Sequence, residues 1–240
     1  FCAGADLGSG GATFDYTKRP DRLEQGSPLR PDGSVDMSHP SVRDGGGRVT
    51  LRIFKCRKPV IGAINGAAVG IGVTMQLPMD FRLASEAARF GFVFARRGIV
   101  PEAASSWFLP RLVGISQALD WCYSGRVFGA EEAKRGGLVR SIHAADDLIP
   151  AARALAKELT SDGAPVSIAL TRQMMWRMMG AGHPMEAHKL DSRAIWVRGQ
   201  GNDAKEGVTA FLEKRPSHYS DSVAHDMPHF SPWMDEPDYQ

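Results

Sequence analysis

The sequence predicts an α/β protein whose short buried strands come early and whose helices come late. Three observations carry that expectation. Apolar runs of about five residues, bounded by turn formers, recur between residues 59 and 92. From residue 104 onward, apolar side chains return at helical spacing. At 240 residues the chain can bury one sizeable core, and no internal repeat of roughly 20–50 residues divides it.

Residues 7–47 are rich in Gly, Pro, Ser and Asp, with Pro20, Pro28, Pro31, Pro40 and the run Gly45-Gly46-Gly47. So little apolar material predicts a long surface loop, bounded at 8–48, holding at most a short helix. The mixed apolar and basic stretch 49–58 suits a helix. Pro59 then opens Val60-Ile61-Gly62-Ala63-Ile64, a buried strand, and Asp80-Phe81-Arg82-Leu83-Ala84 and Ala88-Arg89-Phe90-Gly91-Phe92 read as two more. Helices are expected at 104–112, 117–123 and 130–135. Gly136-Gly137 stops the last of these, and 138–142 returns to strand.

The stretch 146–159 is helical, with Asp146 or Asp147 as its N-cap and Leu148, Ala152, Leu155 and Leu159 on one face. Further helices are expected at 165–179, 185–199 and 202–214, the last with Val208, Phe211 and Leu212 as its apolar edge. The tail after Pro216, with Pro228, Pro232 and Pro237, should lie over a surface or a neighbouring subunit. The division is a core over 1–142 and a helical region with its tail over 143–240.

Composition excludes several classes. Hydrophobic residues make up 43% and charged residues 23%, with a formal net charge of +2. That balance is ordinary for a globular protein and gives a nucleic acid or an acidic membrane surface no purchase. Cys2, Cys56 and Cys122 are too far apart for a disulfide framework or a metal knuckle, so a reducing cytoplasm is the expected compartment. Residues 60–79 carry no charge and have the length of a membrane span. Gly62, Gly66, Gly70 and Gly72, with Asn65, Gln76 and Pro78, instead fit a strand, a turn and a short helix. The opening Phe1-Cys2-Ala3-Gly4-Ala5-Asp6 has neither the basic start nor the apolar stretch of a signal peptide, and reads as the interior of a longer chain.

Two turns of small residues are the natural places for chemistry: Phe1-Cys2-Ala3-Gly4-Ala5-Asp6-Leu7 and Asn65-Gly66-Ala67-Ala68-Val69-Gly70-Ile71-Gly72. Each lets a ligand approach the backbone and can aim N–H groups into a cleft; each can also be a tight turn with no ligand. A dinucleotide fingerprint fails at its third glycine, where Met75 stands, and no Gly-Lys-Ser/Thr phosphate loop occurs. His183, His188, His218, His225 and His229 do not form a His-Glu-x-x-His arrangement, so no metal is expected. Ser105 and Ser106 lack the glycine frame of a nucleophile elbow.

Taken in order, these segments resemble the crotonase (enoyl-CoA hydratase/isomerase) superfamily. The first turn resembles its first oxyanion segment, and Lys58-Pro59-Val60-Ile61-Gly62-Ala63-Ile64-Asn65-Gly66 through Gly72 its second. The likeness continues through Asp80–Ala84, Phe90-Gly91, Gly98-Ile99-Val100-Pro101, Leu109-Pro110-Arg111-Leu112-Val113-Gly114, Ser124-Gly125-Arg126, Ala130–Ala133, Gly137-Leu138-Val139 and a late stretch from Glu206 to Arg215. No one motif decides it, but their order and spacing are specific.

The resemblance implies a ββα spiral core followed by a helical trimerisation region, with the family's opening strands lying before Phe1. It further implies a homotrimer or homohexamer and an acyl-CoA thioester substrate, coenzyme A arriving as part of that substrate with no other cofactor. The oxyanion-hole donors are then the N–H groups of Ala5 and Ile71. Loss of one such donor typically costs about 10²–10³ in rate. Ala3, Asp6, Leu7 and Gly70 would line the substrate path, and Phe211 and Lys214 would reach coenzyme A, often across subunits.

The two glutamates that hydratases of the family use fall at Thr74 and Phe94, neither of which is an acid. Glu102, in Ile99-Val100-Pro101-Glu102-Ala103-Ala104-Ser105-Ser106, instead resembles the glutamate of peroxisomal-type Δ3,Δ2-enoyl-CoA isomerases. Its apolar neighbours should raise its pKa toward the working range of a base that also returns the proton. Double-bond migration from 3-enoyl-CoA to 2-enoyl-CoA is therefore the expected reaction. The alternatives are hydration of 2-enoyl-CoA and a non-catalytic acyl-CoA-binding protein.

Overall fold

The computed structural model describes residues 1–18, 26–230 and 237–239; Pro20 of the expected loop and Pro232 of the expected tail lie outside them. The first helix, α1 (Gly45–Phe54), begins inside the glycine run that composition assigns to a loop. The cause is Asp44, whose carboxylate accepts the Gly46 and Gly47 N–H groups at 2.9 and 2.7 Å. It thereby satisfies two of the orphan donors of the first turn and offsets the poor helix propensity of glycine. The helix expected at 49–58 thus starts earlier and stops at Phe54.

Strands β1 (Ile61–Ile64), β3 (Phe81–Ser85) and β6 (Ser141–His143) form one parallel sheet in the order β1-β3-β6. Strands β2 (Ala67–Val69), β4 (Arg89–Gly91) and β5 (Val127–Gly129) form a second, β2 parallel to β4 and β5 antiparallel to it. The helix α2 (Ile71–Thr74) follows β2, and α3 (Ser105–Val113) with α4 (Ile115–Ser124) follows β4. The first two ββα units therefore each lay one strand on each sheet, β3 parallel to β1 and β4 parallel to β2. This is the crotonase-like spiral. The three-residue strands β2 and β5 were not expected; they are too short to show a period of two. Only the end of the strand expected at 138–142 pairs, because Leu138 and Val139 turn inward to the core.

Ile64, Ala68, Val73, Leu77, Phe90 and Phe92 fill the space between sheets and helices. Trp121 of α4 stacks on Phe128 of β5 with centroids 4.4 Å apart, and its indole N–H donates to Glu132 Oε1 at 2.8 Å. That gives the one polar atom of a buried ring its partner. Glu132 belongs to α5 (Ala130–Arg135), which leads into β6.

The helix α6 (Leu148–Thr160) buries Leu148 and Leu155 against Leu83 of the first sheet. Asp147 stands at its N-cap position, although the side chain makes no capping bond there. Helices α7 (Pro165–Met178), α8 (Pro184–Gly199) and α9 (Asn202–Glu213) complete the order. The apolar edge expected on α9 is open: Val208, Phe211 and Leu212 are 63%, 81% and 73% exposed. The helix buries Asp203 and Ala210 instead, Asp203 accepting the Ser220 N–H at 2.9 Å. Ile195 and Trp196 of α8 are also exposed. The tail folds back on its own chain, with Met227 packed against Val166, Ala169 and Leu170 of α7.

Arg172 of α7, 6% exposed, joins these parts. Its guanidinium donates to Asp80 Oδ2 at 2.8 Å and to the carbonyls of Ile53, Phe54, Cys56 and Pro78. Asp80 also accepts the Trp176 indole N–H and the Val60 N–H. One planar cation thus closes the C-terminal end of α1 and ties α7 to the start of the first sheet. Arg172→Ala should cost about 3–5 kcal/mol in urea unfolding, since it takes the counter-charge from a largely buried carboxylate and one donor from each of four carbonyls. Arg172→Lys should recover only part of that loss, because an ammonium cannot reach all five acceptors.

Candidate active site

The first segment docks along β2. The Cys2 N–H donates to the Ala67 carbonyl at 2.8 Å, and the Val69 N–H donates to the Cys2 carbonyl at 3.1 Å. Gly72 permits the approach, because a Cβ there would overlap the Cys2 carbonyl. Ala3-Gly4-Ala5 is thereby laid beside Val69-Gly70-Ile71. Ile71 is the first residue of α2, so its N–H has no intrahelical acceptor. Among the described residues, neither the Ala5 nor the Ile71 N–H donates a hydrogen bond. Both residues line a cavity of about 540 Å³, whose wall also includes Ala3, Leu7, Gly70 and Glu102.

Glu102 enters this cavity through an unusual turn. Ala103 and Ala104 lie in the left-handed region, at φ 58° and 54°. Such a conformation costs an alanine about 1–2 kcal/mol. Asp44 helps to hold it, for its Oδ2 accepts the Ala103 N–H at 2.7 Å as well as that of Gly47. The Asp44 carboxylate therefore joins α1 to the turn that aims Glu102.

The two Glu102 oxygens have different surroundings. Oε1 accepts a short hydrogen bond from the Thr74 hydroxyl. Oε2 lies against Gly46, where a Cβ would overlap it and also crowd Ile71 Cδ1. Burial pushes the Glu102 pKa up from its ordinary 4.5; the Thr74 hydrogen bond lowers it and the Asp44 carboxylate raises it, to reach about 7. A half-buried carboxyl that titrates near neutrality can both accept and return a proton.

The structure brings Glu102, Ala5, Ile71, Ala3, Leu7 and Gly70 together on one cavity wall. Asp6 is not part of that lining; its carboxylate turns to the Gly8 N–H at 2.8 Å. Phe211 and Lys214, at the end of α9, also lie outside the lining of this chain. Asp44 and Gly46 escaped the sequence reading, although an Asp before a helical run is an N-cap signal. Phe14, Tyr16 and Arg97 also line the wall, and sequence patterns do not single them out. Among the described residues, no group of three or more His, Cys, Asp or Glu could hold a metal ion, and no helix is long and apolar enough to cross a membrane.

The sequence of the enoyl-CoA hydratase/isomerase family matches residues 39–222. The chain is 41% identical over 192 residues to enoyl-CoA hydratase AFT3-1 of Alternaria alternata, covering 80% of this chain and 64% of that protein. It is 29% identical over 229 residues to 1,2-epoxyphenylacetyl-CoA isomerase of Escherichia coli, covering 92% and 77%. The crystal structure of enoyl-CoA hydratase subunit I from Geobacillus kaustophilus superposes with a TM-score of 0.72 at 27% identity, covering 92% of this chain and 76% of that one. The chain belongs to the enoyl-CoA hydratase/isomerase family, within the crotonase superfamily, and spans 64% of the length of the Alternaria relative.

Two outcomes follow from the Glu102 environment. Gly46→Ala should displace the Glu102 carboxyl and shift its titration midpoint, followed by carboxyl-carbon NMR, while the fold is retained. The raised pKa also has a stability consequence. Between about pH 4.5 and 7 the folded chain holds a proton that the unfolded chain has released, so Glu102 makes stability fall as pH rises through that window. Glu102→Gln should remove this contribution, and the variant should have the higher Tm at pH 8.

Proposed function

We propose that the chain carries the site of an enzyme that moves the double bond of a 3-enoyl-CoA to give a 2-enoyl-CoA. The observation that carries this reading is that one cavity is lined both by Glu102, whose Oε2 accepts no hydrogen bond among the described residues, and by Ala5 and Ile71, whose N–H groups are undonated. Oε2 takes a proton from the substrate's α-carbon, and the C–H electron pair passes into the thioester. The Ala5 and Ile71 N–H groups hold the oxygen on which the negative charge collects. The resulting dienolate takes the proton back from Glu102 at its γ-carbon, leaving the double bond conjugated with the thioester. Atoms and charge balance without a redox partner or a metal.

Hydration of 2-enoyl-CoA is the second reading. It is favoured by the names of similar proteins and by a second carboxylate on the cavity wall, Asp44. Against it, Asp44 accepts three backbone N–H groups, and the positions where the resemblance places hydratase glutamates are Thr74 and Phe94. A site that binds acyl-CoA without turnover is the third.

The exposed apolar faces of α8 and α9 suit assembly of a homotrimer or homohexamer. Phe211 and Lys214 would then meet the coenzyme A portion bound to a neighbouring subunit, while Asp6 supports the first turn beside the thioester.

The test is a parallel assay of the full-length protein on 3-enoyl-CoA and 2-enoyl-CoA, wild type against Glu102→Gln. Conversion of 3-enoyl-CoA should rise with pH through a midpoint near 7, as the Glu102 carboxylate forms, and should be lost in the variant. Hydration of 2-enoyl-CoA that survives the substitution would defeat the reading.

A further inference from the structure

Thr74 stands where the resemblance places a glutamate, and its surroundings give it a different task. The side chain is fully buried at the end of α2. Its hydroxyl lies between two acceptors, Glu102 Oε1 and the Gly70 carbonyl, the latter at 3.3 Å. A hydroxyl has one proton to donate. The carboxylate is the stronger acceptor, so that proton goes to Oε1 while Glu102 is ionised. Oε2, by contrast, accepts no hydrogen bond among the described residues and lies against Gly46, itself a residue of the cavity wall. The carboxyl group therefore has one tethered oxygen and one working oxygen.

We propose that Thr74 is a positioning residue that pins Glu102 through Oε1, so that the single oxygen Oε2 both removes and returns the substrate proton. This rests on the proton-shuttle reading above. As the α-carbon C–H bond breaks, the new O–H bond forms at Oε2 and the electron pair enters the dienolate. The same O–H bond then breaks as the γ-carbon C–H bond forms, and the Thr74 proton stays on its own oxygen throughout. Without the tether the carboxyl can turn about its last side-chain bond, carrying the captured proton away from the dienolate toward cavity water. The proton is then exchanged before it is returned.

The tether also sets when Glu102 ionises. Asp44 faces it from the N-cap of α1 and opposes ionisation. Arg97, from the turn Ala95–Arg97, and Tyr16, from the loop, are the other ionisable groups on the cavity wall. The first turn of α3, Ser105-Ser106-Trp107-Phe108, contributes none. Thr74 favours the carboxylate, so removing its hydroxyl raises the proton affinity of the base.

The experiment compares wild type, Thr74→Val and Thr74→Ser in two measurements. One is a carboxyl-carbon NMR titration of Glu102, assigned with Glu102→Gln. The other follows deuterium from the α- to the γ-carbon of a labelled 3-enoyl-CoA in ordinary water. Thr74→Val should raise the Glu102 midpoint by about one pH unit or more. The acid limb of its pH–rate profile should move by the same amount, and it should lose most of the deuterium transfer to solvent exchange. Thr74→Ser should keep the wild-type midpoint and transfer. An unchanged titration and unchanged transfer in Thr74→Val would overturn the tether. So would Thr74→Ser behaving like Thr74→Val, which would reduce Thr74 to packing. A wild type that does not convert 3-enoyl-CoA would defeat the shuttle reading instead, and the titration alone would then decide whether Thr74 holds Glu102.

Discussion

The site depends on what one carboxylate can accept. Asp44 takes three backbone N–H groups, two from the first turn of α1 and one from Ala103. The first pair lets a helix begin on three glycines. The third steadies a left-handed turn that alanine does not favour, and that turn is what aims Glu102. The same negative charge stands close enough to Glu102 to resist its ionisation. Helix initiation and the turn's backbone strain thus rest on one side chain, which also adds to the rise in the Glu102 pKa that burial chiefly causes.

Glycine in α1 is explained by the same arrangement. Gly46 presents no side chain to Glu102 Oε2, so α1 can lie directly against the carboxyl group. A helix so poor in propensity would fray on its own. It is held at its start by Asp44 and at its end by Arg172 and Gln173, which collect the carbonyls of Phe54 and Cys56. The stability of the helical region is in this way passed to the cavity wall, through a helix chosen for its lack of bulk. Firm anchoring at both ends allows a thin element between them.

Much of this was legible in the sequence. The strands β1, β3 and β4 announced themselves as apolar runs between turn formers, and the helices from 105 onward through spacing and glycine stops. Ala5, Ile71 and Glu102 came from the resemblance, and the cavity gathers all three. What escaped has physical causes. β2 and β5, of three residues each, are too short for alternation to register. Gly45-Gly46-Gly47 reads as loop by propensity, which the Asp44 cap overrides. Asp44 and Ala103 are 59 positions apart, and no local pattern reports a hydrogen bond across that distance. The face of Val208, Phe211 and Leu212 was legible as apolar but not as open, since periodicity shows which residues share a face and not what covers it.

The left-handed pair Ala103-Ala104 has a consequence for how this sequence can drift. Of the common residues, glycine and, less readily, asparagine and aspartate visit that region, while β-branched side chains are excluded from it. The replacements open to these two positions are therefore few, even though neither side chain is a reacting group. At the partly buried Ala104, glycine releases conformational strain against a smaller cost in unfolded-chain entropy, whereas at Ala103 it would also delete a fully buried methyl. The turn thus stores a reserve that one codon change can draw on: a lineage burdened by a destabilising substitution elsewhere has a compensating step waiting beside its own base.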